Sequence, residues 1–169
     1  MSLDDYRLTD AFPYLLNRIG VRMGDLFSSR LAPFGVTLPM YRAMAALREQ
    51  GGRRLGELAD ITAIELSTLS RLISGMVRKG LVSRRRPDDN TRTVAIDLTP
   101  AGRELVEQLI PFARHFEEVA LRGFAAGEVE DRKHELRRVY ENLAILEREL
   151  EASGLIGQPD ARKRREAGG

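Results

Sequence analysis

A mainly α-helical fold with one small β-hairpin is the class that the sequence predicts, and three observations carry this prediction. Apolar residues recur at three- and four-residue steps along most of the 169 residues, which is the period of helices with one buried face. Two short runs rich in β-branched residues, separated by a polar loop, occupy residues 81–98, a pattern typical of a hairpin. The segments between these apolar stretches contain Gly, Pro, Ser and Thr, the residues that commonly begin or end helices.

The composition excludes several functional classes. The chain has no cysteine, which excludes disulfides, thiol redox sensing and thiolate metal sites. No apolar run approaches the ~20 residues that a membrane span needs, and the N-terminal residues MSLDDYRLTDAF contain no apolar signal segment. A soluble, cytoplasmic protein without a membrane partner is therefore expected.

The first helix is expected to have Asp10 as its N-cap and to end before Pro33 and Gly35. Gly20 and Gly24 lie four residues apart on one side of it and permit the close approach of another helix. Its wide apolar stripe consists of Phe12, Leu15, Leu16, Ile19, Met23, Leu26, Phe27 and Leu31.

Thr37 is the expected N-cap of a second helix that ends at the glycines of residues 51–52. Arg53 and Arg54 follow and precede a short third helix over Leu55–Ile61. Cations and free backbone N–H groups at a helix start suit a phosphate, and ordinary surface arginines are the equally weighted alternative.

A fourth helix is predicted within Glu65–Leu81, and Gly80 is its C-terminal stop. Its buried face is expected to consist of Leu69, Leu72, Ile73, Met76 and Val77. Small polar residues and one arginine cluster near its start, namely Ser67, Thr68, Ser70 and Arg71, where they are able to reach base edges or phosphates. Capping and solvation are the alternative roles. With the third helix and the tight turn of residues 62–64, this is a helix-turn-helix.

The hairpin that follows, residues 81–98, is called the wing. Its strands are expected over Leu81–Arg86 and Thr93–Leu98, with a polar loop between them. Because side chains alternate along a strand, at most two of Arg84, Arg85 and Arg86 point towards DNA and at least one is placed to pair with the body. Arg84 and Arg86 are taken as the DNA-contacting pair. Helix-turn-helix and hairpin together form a winged helix-turn-helix.

Two long helices are expected after the wing. Thr99 caps the first, whose apolar residues are Leu105, Leu109, Phe112, Phe116, Val119 and Phe124, and Pro111 predicts a bend. Gly127 is expected to separate it from the second, over Glu128–Ala152, whose apolar residues Leu136, Val139, Leu143, Leu146 and Leu150 have nearly heptad spacing. Such spacing favours packing on another helix, of the same or of a partner chain.

Four regions follow from this pattern. Residues 1–32 form an N-terminal dimerisation helix, 33–99 the winged helix-turn-helix, 100–152 the C-terminal dimerisation helices, and 153–169 a disordered, basic tail. The flanking helices have more apolar surface than a domain of about 65 residues covers, which favours a second copy of the chain.

Charge is unevenly distributed. The net charge is +2 over the whole chain, but residues 67–99 hold seven basic and three acidic residues, and residues 101–151 hold eight basic and twelve acidic residues. A basic winged segment beside an acidic helical one indicates a DNA-binding face on a body that does not bind DNA.

The string STLSRLISGMVRKGLVSRRRPDDNTRTVAIDLTPAG, residues 67–102, resembles the recognition helix, wing and exit of the MarR family of bacterial transcriptional regulators. The similarity in layout extends over residues 10–150. It implies a homodimeric regulator, expected to be a repressor, that binds a pseudo-palindromic operator in double-stranded DNA. Release by a small, often aromatic, ligand is also implied. The lack of cysteine excludes the thiol-based peroxide sensors of that family.

The resemblance also implies site residues. Asn90 and Arg92 match an Asp-x-Arg element whose acidic residue orients an arginine towards the minor groove or a phosphate. Asn in place of Asp loses the charge-assisted part of that hydrogen bond, unless Asp88 or Asp89 supplies it. Glu65 stands where many relatives have Ser or Thr, so a carboxylate is the expected helix cap.

An effector pocket is implied where the dimerisation helices meet the winged domain. Arg18, Arg22, Tyr41 and Arg42 are candidates there, since a cation and an aromatic ring suit an aromatic carboxylate. Salt bridges and core packing explain these residues equally well.

An enzyme is not expected, because the sequence shows no nucleophile with its base, no phosphate loop, no cofactor motif and no metal cluster around His115 or His134. The stronger alternative is a winged-helix or helical-bundle module that docks protein partners without binding DNA.

Overall fold

The computed structural model describes residues 6–86 and 94–154, and these fold mainly into α-helices with one antiparallel hairpin. The predicted fold class is therefore confirmed. The helices are α1 Phe12–Leu31, α2 Leu38–Glu49, α3 Leu55–Thr62, α4 Leu66–Arg78, α5 Pro100–Ala120 and α6 Ala126–Ala152, and the strands are β1 Val82–Arg85 and β2 Ala95–Leu98. The chain forms two compact units that divide between Glu117 and Glu118.

The two strands of the wing pair over their full length, with Val82 opposite Leu98 and Arg85 opposite Ala95. A further segment joins them, because the Ile96 N–H donates to the Arg53 carbonyl at 2.9 Å and these two residues form an isolated antiparallel bridge. This bridge was not predictable from the sequence, since a single paired residue leaves no periodic pattern. The chain just before α3 is thereby fixed to the wing.

A single apolar core holds α1 to α5 and the wing together in the first unit. Its fully buried members come from each of these elements: Leu31, Met44, Leu47, Leu58, Leu69, Ile73, Met76, Val82, Ile96, Val106 and Leu109. Three of them lie on α4, and their burial determines which face of this helix points towards the core. The opposite face of α4 is left to the solvent.

The junction between α4 and α5 is tightly bonded. The Thr99 hydroxyl donates to the Gly80 carbonyl at 2.6 Å and accepts from the Gly102 N–H at 3.0 Å, which confirms Thr99 as the cap of α5. Gly102 is buried against the backbone of Leu81, and a Cβ atom at residue 102 would overlap the Leu81 carbonyl group. Only glycine fits at this position.

Two predicted helix boundaries were wrong. Asp10 does not cap α1, because its N–H donates to the Arg7 carbonyl in a short 3-10 helix, Leu8–Asp10, and α1 begins after Ala11 without a side-chain cap. Gly127 does not separate α5 from α6 but lies within α6. The Glu128 carboxylate accepts from the Ala125 N–H at 2.8 Å and so starts α6 before the glycine.

The apolar stripes of α1 and α6 are largely exposed. In α1 only Phe27 and Leu31 are buried, whereas Ile19 is 57% exposed. In α6 no residue is buried, and Leu143 is 48% exposed. The predicted stripes exist, and much of their surface is exposed among the residues that the structure describes.

Within the described ranges, no helix combines the length and hydropathy needed to cross a lipid bilayer.

Candidate nucleic-acid interface

The orientation of α4 follows from its buried residues. Leu69, Ile73 and Met76 are buried and Leu72 is half-buried, as the spacing predicts. Val77 is 38% exposed, so its predicted burial was wrong. At about 100° per residue, Val77 lies at the edge of the stripe that the other residues define.

The N-terminal end of α4 is capped by a carboxylate. Glu65 accepts from the Thr68 N–H at 2.9 Å, and the Ser67 hydroxyl donates to the same carboxylate oxygen. These bonds, that of the Ser67 hydroxyl first and the backbone N–H groups next, lower the pKa of Glu65 to about 2. Glu65 is therefore negatively charged at every physiological pH, and the expected carboxylate cap is confirmed.

The candidate contact residues of α4 lie beside this cap. Ser67, Thr68 and Arg71 are exposed and Ser70 is half-buried. Ser67 and Arg71 are one turn apart and share a face. This small polar surface, defined by residues 67, 68, 70 and 71, faces away from the core and is called the α4 tip.

The wing is bonded to α4 by Arg84. Its guanidinium donates to the Ser74 hydroxyl at 2.9 Å and more weakly to the Ser70 carbonyl at 3.4 Å. Arg85 forms an ion pair with Asp97 at 3.5 Å, so it is the arginine that pairs with the wing itself. Arg86 is exposed. Arg84 and Arg85 thus have different partners, and all three arginines are exposed to solvent.

Two candidate residues of the wing, Asn90 and Arg92, lie outside the described residues, as do Asp88 and Asp89 and most of the C-terminal tail from residue 155 onward.

The arginine pair before α3 is divided between two environments. Arg53 is half-buried, and its Nε donates to the Ala46 carbonyl at 3.4 Å. Arg54 is exposed, while its backbone N–H donates to Glu57 at 2.9 Å. The Arg54 side chain remains available to a phosphate, but its N–H already has a partner within the helix cap.

A cavity of about 380 Å³ opens between α1, α2 and α5. Of the four candidate effector residues, Tyr41 and Arg42 line it, and Arg18 and Arg22 lie outside its wall. Arg18 stands instead 5.8 Å over the Tyr14 ring. The lining residues are Gly20, Met23, Gly24, Phe27, Leu38, Tyr41, Arg42, Ala113, Phe116 and Glu117.

Aromatic contacts form one wall of this cavity. The Phe27 ring meets the Tyr41 ring edge-on at 4.8 Å and the Phe116 ring at 5.4 Å. Burial, with a smaller contribution from the charge of Glu49, raises the pKa of Tyr41, so its hydroxyl stays protonated. Sequence reasoning missed Phe116 and Glu117 here, because their proximity to α1 and α2 is a tertiary contact.

Across the described ranges, His115, His134 and the acidic residues form no group of three side chains able to hold a metal ion.

The arrangement of α3 and α4 across a short turn, with an arginine-bearing hairpin bonded to α4, defines a winged helix-turn-helix protein. Comparison with known proteins then gives the family. The MarR family model matches residues 36–94. The structure of a MarR-family transcriptional regulator from Silicibacter pomeroyi is 30% identical in sequence, with a TM-score of 0.75, and the match covers 84% of this chain and 96% of that one. The chain therefore belongs to the MarR family, whose members are transcriptional regulators and not enzymes.

Two further relatives are DNA-binding regulators. The HTH-type transcriptional repressor NicR of Pseudomonas putida is 26% identical over 123 residues, which are 73% of this chain and 78% of NicR. A structure of BpsR from Bordetella bronchiseptica, described by the regulation of its DNA binding by 6-hydroxynicotinic acid, is 27% identical with a TM-score of 0.72, and the match covers 80% of this chain and 96% of BpsR. The protein is thus similar to DNA-binding regulators over most of its length.

Proposed function

We propose that this protein is a homodimeric repressor that places α4 in the major groove of a pseudo-palindromic operator. The observation that carries the proposal is the exposed α4 tip, which lies next to a wing that Arg84 bonds to the same helix. Small hydroxyl side chains and one guanidinium suit base edges and phosphates. NicR, a relative named as a repressor, supports repression as the direction of control.

The candidate contacts divide into two roles. Residues of the α4 tip, Ser67, Thr68, Ser70 and Arg71, face the bases. Phosphate contacts fall to exposed arginines outside the tip, Arg54 and Arg86. Arg92 of the wing, oriented by Asn90, contacts the minor groove or a phosphate. Arg84 and Arg53 make hydrogen bonds within the protein, so we assign them to holding the wing and the lead-in to α3 in position beside the DNA.

Dimerisation is supported by the exposed apolar stripes. Residues 1–32 and 100–152 act as the dimerisation regions and residues 33–99 as the DNA-binding region. A second copy would cover apolar surface that one chain exposes on α1 and α6, such as Ile19 and Leu143. Two α4 helices on a two-fold axis would meet half-sites one DNA turn, ~34–36 Å, apart.

Arg71→Ala is expected to reduce the discrimination between the operator and a scrambled duplex. A bidentate arginine–guanine pair contributes ~1–3 kcal/mol of discrimination, so the affinity ratio should fall about tenfold or more. The measurement is binding of both duplexes over a series of salt concentrations. Arg148→Ala, a change in α6, is the matched control and should leave the ratio intact. An unchanged ratio in Arg71→Ala would remove Arg71 from base recognition.

The salt series also tests the alternative of a protein-docking module. Phosphate contacts release counterions, so the logarithm of the affinity for duplex DNA should fall steeply with the logarithm of the salt concentration. A flat response would contradict DNA binding and favour protein docking.

Release by a small aromatic acid is the second part of the proposal. The cavity between α1, α2 and α5 has an aromatic wall and a cation, Arg42, at its edge, which suits an aromatic carboxylate. BpsR, whose DNA binding 6-hydroxynicotinic acid regulates, is a relative with an effector of this chemical class.

Arg42→Ala is expected to raise the concentration of acid needed for release about tenfold, because a hydrogen bond to a charged group is lost. The measurement is DNA binding during titration with 6-hydroxynicotinic, nicotinic and salicylic acids. Arg22→Ala is the control, since Arg22 lies outside the cavity wall. Equal release of both variants would exclude Arg42 from the effector site, and no release by any of the acids would count against this ligand class.

A further inference from the structure

We infer that Ser67 selects an exocyclic amino group of a base, the N4 of cytosine or the N6 of adenine, because its hydroxyl already donates a hydrogen bond to Glu65. The inference rests on the proposed docking of α4 in the major groove. Glu65 is then a positioning residue. Its hydrogen bond to the Ser67 hydroxyl leaves Ser67 able to accept hydrogen bonds from DNA but not to donate them.

Ser67 and Glu65 differ in the hydrogen-bond donors that they possess. A serine hydroxyl has one donor and two acceptor lone pairs, and an ionised carboxylate has only acceptors. The Ser67 hydroxyl uses its one donor in the hydrogen bond to Glu65. Both side chains therefore offer only lone pairs to an approaching group, and both are exposed.

The carboxylate is held in this orientation. The same oxygen accepts the Thr68 N–H at 2.9 Å, and that bond closes the first turn of α4. The hydroxyl has a strong preference for this partner, because hydrogen bonds to an ionised acceptor are roughly twice as strong as neutral ones. Turning the Ser67 proton towards DNA would break such a bond.

An acceptor-only surface restricts what it meets in the groove. Guanine O6 and N7, adenine N7, thymine O4 and phosphate oxygens are all acceptors, while the donors of the major groove are the amino groups of cytosine and adenine. Ser67 and Glu65 therefore suit an amino group and do not suit a phosphate. Arg71, one turn along the same face, has only donors and suits guanine or phosphate.

Every base pair presents one amino group in the major groove, so the test must change single atoms rather than base pairs. First, the wild-type full chain and Ser67→Ala each select duplexes from a random library. Comparison of the two sets identifies the position at which the preferred base pair depends on Ser67. At that pair, cytosine is replaced by 2-pyrimidinone, or adenine by purine, which removes the amino group. In a parallel duplex, the 7-deaza form of the purine removes the N7 acceptor.

The amino-deleted duplex is expected to bind the wild-type protein about tenfold more weakly per half-site. Ser67→Ala should bind the parent and amino-deleted duplexes with nearly equal affinity. Removal of N7 should leave the ratio of wild-type to Ser67→Ala affinity unchanged. Glu65→Gln, which keeps a carbonyl for the Thr68 N–H but removes the charge, should reduce the amino-deletion effect to about twofold.

The inference is overturned if amino deletion weakens both proteins equally, or if loss of N7 abolishes the difference between them. Circular dichroism of both variants verifies that their total helix content equals that of the wild type. The proposed function fails in a different way, because the wild type would then select no sequence from the library. Sequence-specific binding that Ser67→Ala leaves unchanged would overturn only the role of Ser67.

Discussion

Leu143→Glu is expected to convert the proposed dimer into monomers and to weaken operator binding by about 100-fold or more. Leu143 is 48% exposed on α6 and shares an apolar stripe with Leu136 and Leu146. No residue of this helix is buried. A carboxylate inside an interface of such stripes would be desolvated without a partner. Loss of the second half-site then removes the gain of ~10²–10⁴ that linked binding sites give.

The measurement is sedimentation velocity together with operator binding at fixed salt. Ala144→Glu is the matched control, because it adds the same charge to the same helix at an exposed position off the stripe. It should remain dimeric and bind the operator normally. Both variants should retain the helical circular dichroism of the wild type. A dimeric Leu143→Glu with normal affinity would show that α6 does not contribute to the interface.

Gly102→Ala is expected to lower the free energy of unfolding by about 3 kcal/mol, at the upper end of the cost of overpacking. The added Cβ would overlap the Leu81 carbonyl group, and main-chain atoms cannot yield as a flexible side chain does. To relieve the overlap, α5 must move away from the end of α4 and weaken the Thr99 hydrogen bonds. Urea unfolding at one protein concentration measures the change.

Gly75→Ala is the control for this prediction. Residue 75 lies inside α4, and the nearest atom to its added Cβ is the end of the Arg78 side chain at 3.8 Å. Alanine has the higher helix propensity, so this variant should be about 0.5–1 kcal/mol more stable than the wild type. If Gly102→Ala unfolds at the wild-type urea concentration, the close packing of α5 on Leu81 is not present in solution.

Local patterns were sufficient to predict α2, α3, α4 and the wing. The Thr37 cap of α2, the carboxylate cap of α4 and the glycine stop at residue 80 each involve residues within a few positions along the chain. Such short-range hydrogen bonds depend on residue type and spacing, which a sequence displays directly.

Contacts between distant residues were not predictable in the same way. The spacing of Arg84 gave its strand but not its hydrogen bond to Ser74, because that bond depends on how the wing folds back on α4. The bridge of Arg53 to Ile96 and the placement of Tyr41 and Arg42, but not Arg22, at the cavity are also tertiary contacts. The stripes of α1 and α6 were recognised, but periodicity does not reveal which chain covers an apolar surface.

The bonded junction of Thr99, Gly80 and Gly102 makes the end of α4 and the start of α5 one rigid joint. If α5 tilts at this joint, α4 must tilt with it, because these bonds and the close contact hold the two helix ends together. For a helix ~20 Å long, a tilt of about 10° displaces the far end by ~3.4 Å, the height of one base-pair step. In the proposed complex with DNA, a small reorientation at the joint would therefore be enough to shift the α4 tip out of register with its half-site.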